Sequence, residues 1–333
     1  MVSRVGHGDA SLTAILSRQS ATLRAEIEKR STELVSGLHH DMGAAVRGDY
    51  SALSAVEQSL ARLKGYAATT AEAALYTDAM QNALGVIADG AADLGTDILR
   101  AVGPTSEISL DSVVIAAGRT FSTAVAALNT RFSERAVFSG VNSDASPLPG
   151  AEAILTALDA VVAGATTDDD IRTAIAGWFS NPAGYDALYA GGAARPGLPV
   201  AAGDVAQLDV TAVDPAIRDT LQALATAAML DRGLLAGQPK ARLQLMRSAG
   251  EALLTGGEAR VQLRARVGSV QAQIAAAQSR NGAEKSALEI ARAGMVSPDP
   301  YDTATILEDL QARLESLYLV TARVSRLSLA DYI

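Results

Sequence analysis

The chain has 333 residues, a formal net charge of −9 and no cysteine. The lack of cysteine excludes disulfide bonds, thiol catalysis and cysteine-ligated metal sites. The acidic balance argues against a nucleic-acid partner, because nucleic-acid binding depends on clustered basic residues. Apolar residues make up 49% and aromatic residues only 4%, with many alanines and leucines, which is typical of long paired helices with a thin core.

The N-terminal segment predicts a helix from Ala10 to Leu38 with a narrow apolar stripe. The members of the stripe are separated alternately by four and seven residues, an 11-residue repeat that favours a nearly straight or slightly right-handed coil. Such a stripe is too narrow for a globular core and requires a partner helix. Its members are Leu12, Leu16, Leu23, Ile27 and Leu34, and the spacing continues to Leu38.

A much longer helix is predicted next, with Asp49 or Ser51 as its N-cap. Its apolar series continues to Val102, where a Gly-Pro pair ends it. About fifty residues at 1.5 Å each correspond to roughly 75 Å, longer than a compact domain of ordinary size accommodates. A further helix is expected over Ser109–Glu134, followed by a turn-rich segment.

The middle of the chain has a different character. A helix is predicted over Ala151–Val162, and a second one begins with Thr167 as N-cap and Asp170 at the third helical position. Trp178, the single tryptophan, is interpreted as part of a small core. Alternating polar and apolar residues predict a strand within Asp204–Val213.

The second helical half begins at an Asp-Pro pair at 214–215, and its first helix extends to Arg232. A long helical tract follows over Lys240–Met295, with an interruption at Gly256. After a break, the C-terminal helix repeats apolar residues at heptad spacing, which favours a left-handed coil. Its heptad positions are Ile306, Leu310, Leu317, Val320, Val324 and Leu327, interrupted by Arg313.

These elements predict a mainly α fold, in which the N- and C-terminal halves form a long antiparallel helical rod or coiled coil. A small α+β variable domain is inserted in the middle, and its deletion (151–199) is expected to be tolerated better than a charge in a terminal stripe. The predicted domains are an N-terminal coil-forming helix (1–45), the N-terminal half of the rod (46–148), the variable outer domain (149–203), the C-terminal half of the rod (204–296) and a C-terminal coil-forming helix (297–333).

Residues that could support catalysis or metal binding have simpler explanations. Adjacent residues on a helix point about 100° apart, so His39 and His40 do not converge, and His7 lies near the N-terminus. Acids at 168–170 occupy a predicted first helical turn, where the helix dipole favours them. The arginines at 260–266 are expected on a solvated face. We therefore predict no catalytic residue, cofactor or metal site, and no enzymatic activity.

No segment is long and apolar enough to predict a membrane span. The first residues lack the apolar region and the small-residue cleavage site of a Sec-type signal. If the protein is exported, we expect a route that retains its N-terminus.

Four strings, taken in their order and spacing, resemble the bacterial flagellin family, which includes the flagellin-like hook-associated protein of the hook–filament junction. They are RSTELVSGLHHD (30–41), similar to the family's ELxTGxxxxD, RFSERAVFSGVNSDASPL (131–148), DVTAVDPAIRDTLQALATAAML (209–230) and the tail ILEDLQARLESLYLVTARVSRLSLADYI (306–333). The segment 149–203 matches no string, as expected for the family's variable outer domain. The family's NxxSA string after the first turn is missing, which favours the junction protein over filament flagellin.

The resemblance implies a structural subunit that is exported through the flagellar type III apparatus without cleavage. It implies self-assembly at the distal end of the hook, support of motility and an extracellular location on the flagellum. The implied partners are further copies of the chain, the hook-side adaptor, flagellin and an export chaperone, and the terminal stripes form the assembly seam. Two alternatives remain open, filament flagellin and a coiled-coil tip or translocator protein of a type III secretion system.

Overall fold

The computed structural model describes residues 6–103 and 110–330, and the side chains of 14–103, 110–324 and 326. Helices dominate these residues and the strands are few and short, so the predicted mainly α fold is confirmed.

The chain divides into two compact units. The terminal unit comprises Met1–Leu63 and Ala283–Ile333, and the central unit comprises Lys64–Gly282. These units differ from the predicted domains, because the boundaries at 149 and 203 both fall inside the central unit.

In the terminal unit, the first and last helices pack against each other in antiparallel orientation. Arg24 near the middle of the first helix contacts Tyr318, whereas His39 just after that helix contacts Val296, just before the last helix begins. The helices that contribute to this unit are α1 (Gly6–Ser36), α2 (Met42–Ala45), the first turns of α3 (Ser51–Ala101), the last turns of α10 (Gly257–Val296) and α11 (Pro300–Ala330).

The central unit contains the remainder of α3 and α10 together with shorter helices and two antiparallel two-stranded ribbons. Its helices are α4 (Leu110–Leu128), α5 (Ala151–Val162), α6 (Asp168–Ser180), α7 (Tyr185–Leu188), α8 (Pro215–Ala228), which continues as a 3₁₀ turn (Met229–Arg232), and α9 (Pro239–Thr255). The ribbons pair β1 (Arg131–Phe132) with β2 (Arg135–Ala136) and β3 (Leu198–Ala201) with β4 (Asp204–Ala206).

One core joins almost all helices of the central unit. Helices α5 and α6 are amphipathic, and each buries its apolar face against helices that precede and follow it in the chain. The segment that the sequence predicts as a separate variable domain therefore supplies part of this common core. The fully buried side chains of this segment that share one cluster with Phe121 and Leu221 are Ile154, Leu158, Ile171, Ile175, Phe179 and Tyr185.

The start of α6 forms as predicted. The Thr167 side chain accepts a hydrogen bond from the backbone N–H of Asp170, and the Asp170 carboxylate accepts one from the backbone N–H of Thr167. This reciprocal capping box satisfies two donors that the helix itself leaves unpaired. The predicted core role of Trp178 also fits, since its ring packs edge-on against Phe179 at 5.0 Å between centroids.

The predicted strand is shorter than expected. Only Asp204–Ala206 pairs with a neighbour, and the residues that follow it in the predicted segment have no strand partner. Leu208 and Val210 are buried while Asp209 between them is exposed, so the alternation that predicts a strand does describe which side chains face the core. Instead of a ladder, the backbone N–H of Ala212 donates to the carbonyl of Phe138.

Hydrogen bonds to the backbone of the turn-rich segment after α4 fix its conformation. The carbonyl of Val137 accepts a hydrogen bond of 2.5 Å from the Tyr76 hydroxyl, and the N–H of Val137 donates to the carbonyl of Thr130. Gly140 has a φ of +60°, and a Cβ built there would lie 2.2 Å from the carbonyl oxygen of Ala193. Only glycine fits this position, because it tolerates both the left-handed backbone and the close approach of another chain segment.

A buried arginine lies where α9 meets α10. Arg260 is only 6% exposed, and its guanidinium donates a hydrogen bond of 2.6 Å to the carbonyl of Leu253 in the last turn of α9. Burial lowers the pKa of this guanidinium from its ordinary value. The prediction of a solvated face at Arg260 is therefore wrong, since the side chain folds back over Gly256 and caps the preceding helix.

Candidate assembly interface

The seam between α1 and α11 is built from two adjacent heptad rows on α11. These rows are only half-buried, as expected where two helices pack without a third element to cover them. Their members are Leu307, Leu310, Leu314, Leu317, Thr321 and Val324. On α1 the corresponding half-buried positions are Leu16, Ser20, Leu23, Ile27 and Arg30.

Of the predicted seam residues, six lie in this half-buried seam and three do not. The six are Leu16, Leu23, Ile27, Leu310, Leu317 and Val324. The three exposed ones are Leu34, Ile306 and Val320, of which Val320 is 47% exposed. The side chains of Leu12 and Leu327 lie outside the described residues.

The predicted seam and the observed seam use different faces of α11, and this difference has a geometric cause. Apolar residues on α11 occupy three neighbouring rows at seven-residue spacing, and the middle row, which includes Leu310 and Leu317, can pair with either flank. The structure pairs it with the flank containing Leu307 and Leu314, which the sequence prediction missed. The other flank, with Ile306 and Val320, remains uncovered.

A groove of about 720 Å³ lies along this uncovered flank. Leu16 and Leu23 of α1 and Leu317 and Val320 of α11 form its apolar part. The polar residues that line it are Arg18, Gln19, Thr22, Arg313 and Ser316. The groove is therefore apolar at its base and basic at its edges, and none of its lining residues is acidic.

A polar contact fixes the two helices beside the groove. The Nε and Nη2 atoms of Arg24 donate hydrogen bonds of 2.9 and 2.6 Å to the hydroxyl of Tyr318. The guanidinium carbon also lies 5.7 Å from the centroid of the Tyr318 ring, within the range of a cation–π contact. This exposed contact joins one residue of each helix.

Several residues of the string ELVSGLHHD have a structural role in the loop after α1. Glu33 is 2% exposed, and its carboxylate accepts hydrogen bonds from the backbone N–H of His40 at 2.9 Å and from Arg30 at 2.8 Å. Gly37 has a φ of +68°, which ends the helix in the left-handed conformation. Asp41 caps α2 by accepting from the N–H of Ala44.

Burial alone would raise the pKa of Glu33, but the hydrogen bonds from His40 and Arg30 outweigh it. The pKa of Glu33 therefore lies below its ordinary value. The Nδ1 atom of His39 is 3.9 Å from the same carboxylate, and the backbone N–H of His39 donates to the carbonyl of Val296. The charged Glu33 thus organises a loop that also contacts the end of α10.

The acidic and basic clusters that the sequence contains outside this interface have structural explanations. Asp168, Asp169 and Asp170 lie in the first turn of α6, as predicted. Arg266 pairs with the capping carboxylate of Asp214. Within the part of the chain that the structure describes, no group of three His, Asp or Glu side chains could hold a metal ion, and no helix is long and apolar enough to cross a membrane. His7 lies outside the residues whose side chains are described.

The fold matches that of a known flagellar protein. The crystal structure of FlgL from Bacillus cereus superposes with a TM-score of 0.51 at 13% sequence identity, covering 72% of this chain and all of that chain. A putative flagellar hook-associated protein from Vibrio parahaemolyticus matches with a TM-score of 0.36 at 12% identity, covering 69% of this chain and 94% of that one. No protein-family model matches the sequence, and no curated protein matches it. The chain shares the fold of FlgL.

Proposed function

We propose that this chain is a structural subunit of the bacterial flagellum that self-assembles at the distal end of the hook and forms the hook–filament junction. The observation that carries the proposal is the uncovered apolar flank of the α1–α11 pair, with its groove. The shared fold with FlgL and the structural roles of Glu33, Gly37 and Asp41 in the family-like string support it.

The energetic argument is that the terminal pair is incomplete on its own. Both faces of a two-helix seam reach solvent, and its best-packed leucines are only half-buried. Burying the remaining exposed half of an aliphatic side chain stabilises by about 1 kcal/mol. Stacking copies along Ile306, Val320 and the groove would add several such contributions, so assembly stabilises the same helices that mediate it.

The proposal includes the route and the neighbours of the subunit. The protein is exported through the flagellar type III apparatus with its N-terminus retained and is held before export by a chaperone. It then binds the hook-side adaptor on one side and flagellin on the other. Its role is mechanical, and it needs no cofactor and performs no catalysis.

Immunogold electron microscopy of sheared flagella tests this proposal, using an antibody against residues 151–199. A single cluster of label where hook meets filament is the expected result. Label along the whole filament would instead identify a filament flagellin. Flagella that carry no label would contradict a flagellar role.

A further inference from the structure

Helix α11 carries a second stripe on the side opposite its seam with α1. The members of this outer stripe are all exposed and follow alternating spacings of four and three residues. They are Tyr301, Thr305, Glu308, Ala312, Glu315, Leu319 and Ala322. Leu319 is 62% exposed, and it is flanked along the stripe by two glutamates and two alanines. A large apolar side chain among small and acidic ones at heptad spacing has the composition of a helix-docking surface.

The groove between α1 and α11 has the complementary composition. Its base is apolar, and its charged residues are Arg18 and Arg313. Arg313 pairs with Asp309 at 2.7 Å, but both side chains are more than half exposed, and such pairs within one helix contribute little. Arg18 is exposed and its Nε donates a hydrogen bond of 3.3 Å to the carbonyl of Ala14 on its own helix. Both arginines can therefore turn toward an acidic partner helix with little loss.

We propose that the outer stripe of α11 from one copy docks into the α1–α11 groove of a second copy. Leu319 then covers the apolar base beside Leu317, and Glu308 and Glu315 face the two arginines. This inference rests on the self-assembly in the proposed function and specifies which surfaces meet. Beyond Leu319 the same face becomes basic, with Arg323 and Arg326, so only the segment from Glu308 to Leu319 matches the groove and the register is restricted.

The two surfaces are different parts of the same molecule. When the stripe of one copy fills the groove of the next, a free groove remains at one end of the complex and a free stripe at the other. Copies therefore add head to tail, and the series stays open unless its rotation closes it into a ring. A ring or a short helical stack is the geometry that a junction between two tubular structures requires.

Cysteine cross-linking of the full-length protein tests the pairing, since the native chain has no cysteine. Thr22→Cys places a thiol in the groove, and Ala312→Cys places one on the outer stripe of copies distinguished by a tag. The matched control replaces Ala312→Cys by Ala92→Cys, an exposed alanine on α3. We expect the groove–stripe heterodimer to form about tenfold faster than the control pair. Equal rates would overturn the inference.

A charge reversal identifies the occupant of the groove. In the Thr22→Cys copy, we reverse both groove charges with Arg18→Glu and Arg313→Glu, and we expect the tenfold rate advantage to disappear. In the Ala312→Cys copy, we then add Glu308→Arg and Glu315→Arg, which should restore the advantage. Arg18→Lys with Arg313→Lys retains the charges and should retain the rate. Circular dichroism at 222 nm checks that each variant keeps its helices. Slowing without restoration would mean that another segment or protein occupies the groove, which contradicts the pairing.

This experiment uses purified protein, so its outcome is independent of location. Failure of cross-linking with label present at the hook–filament junction would reject the pairing alone. Specific cross-linking with no label on flagella would reject the flagellar role and leave the pairing in place.

Discussion

The carboxylate of Glu33 and the backbone N–H of His40, seven residues later, form a hydrogen bond of 2.9 Å that closes the loop between α1 and α2. The bond is charge-assisted and its acceptor is almost fully buried. The same carboxylate also binds Arg30, one turn earlier on α1. A single ionised group therefore determines the conformation with which the chain leaves the first helix.

We expect this loop to lose stability in acid. The folded-state pKa of Glu33 lies below its ordinary value of 4.5, so its contribution is complete above that pH and is lost as the pH falls through the folded-state pKa. Glu33→Gln should flatten this dependence and, at pH 7, reduce local stability by about 1.5–3 kcal/mol. Hydrogen exchange of residues 33–41 between pH 3 and 7 measures both effects.

Glu28→Gln is the matched control, because Glu28 lies on the same helix with an exposed side chain. It should exchange as the native protein does at every pH. An unchanged acid dependence in Glu33→Gln would show that another group controls the loop.

Leu317→Asp should abolish self-association. Leu317 belongs to both the α1–α11 seam and the groove, so an aspartate there would place a charge in both apolar contacts and weaken their packing. The central unit contains no part of this seam and should keep its thermal transition. Sedimentation and circular dichroism of the full chain measure these two properties. Gln311→Asp, an exposed position on the same helix, should associate normally, and normal association of Leu317→Asp would argue against the seam.

Gly140→Ala should destabilise the central unit by about 3 kcal/mol, because the new Cβ would meet the carbonyl of Ala193 and the backbone is left-handed. Urea unfolding followed by Trp178 fluorescence reports on this core. Gly164→Ala is the control, since no atom lies within 4 Å of its added Cβ, and it should change stability by less than about 0.5 kcal/mol. Equal effects of the two substitutions would contradict the close approach at Gly140.

Arg260→Ala should cost about 1–3 kcal/mol, because the carbonyl of Leu253 loses its buried donor. Thermal unfolding monitored by circular dichroism at 222 nm measures the loss. Arg264→Ala removes an exposed arginine one turn later and should be nearly neutral. If Arg260→Ala were as stable as the native protein, the guanidinium would not act as a cap.

Local signals in the sequence were sufficient to predict many elements. The capping residues Thr167 and Asp170 and the interruption at Gly256 are encoded within a few residues, so their positions follow from the chain alone. The apolar stripe of α5 predicts a helix but does not indicate which surface it covers. That surface lies on α4 and α6, and the segment therefore shares the central core instead of forming a separate domain.

For the candidate interface too, the sequence predicts which helices take part but not which of their faces meet. Heptad spacing identified Leu310 and Leu317, but three adjacent apolar rows on α11 allow two pairings. Local contacts cannot decide between them, because the choice depends on where α1 lies, almost 300 residues away in the chain. Arg24 and Tyr318, whose side chains join the two helices, carry no recognisable pattern in the sequence.

The shared core of α5, α6 and α8 limits how the middle of this chain can evolve. A segment that varied freely between relatives would need a hydrophobic core of its own. Ile154, Ile175 and Phe179 instead pack into the core that the whole central unit shares. We therefore expect sequence divergence and tolerated insertions to concentrate at the α5–α6 turn around Gly164, where an added side chain meets nothing. That turn is also where a foreign epitope could be displayed without disturbing the fold.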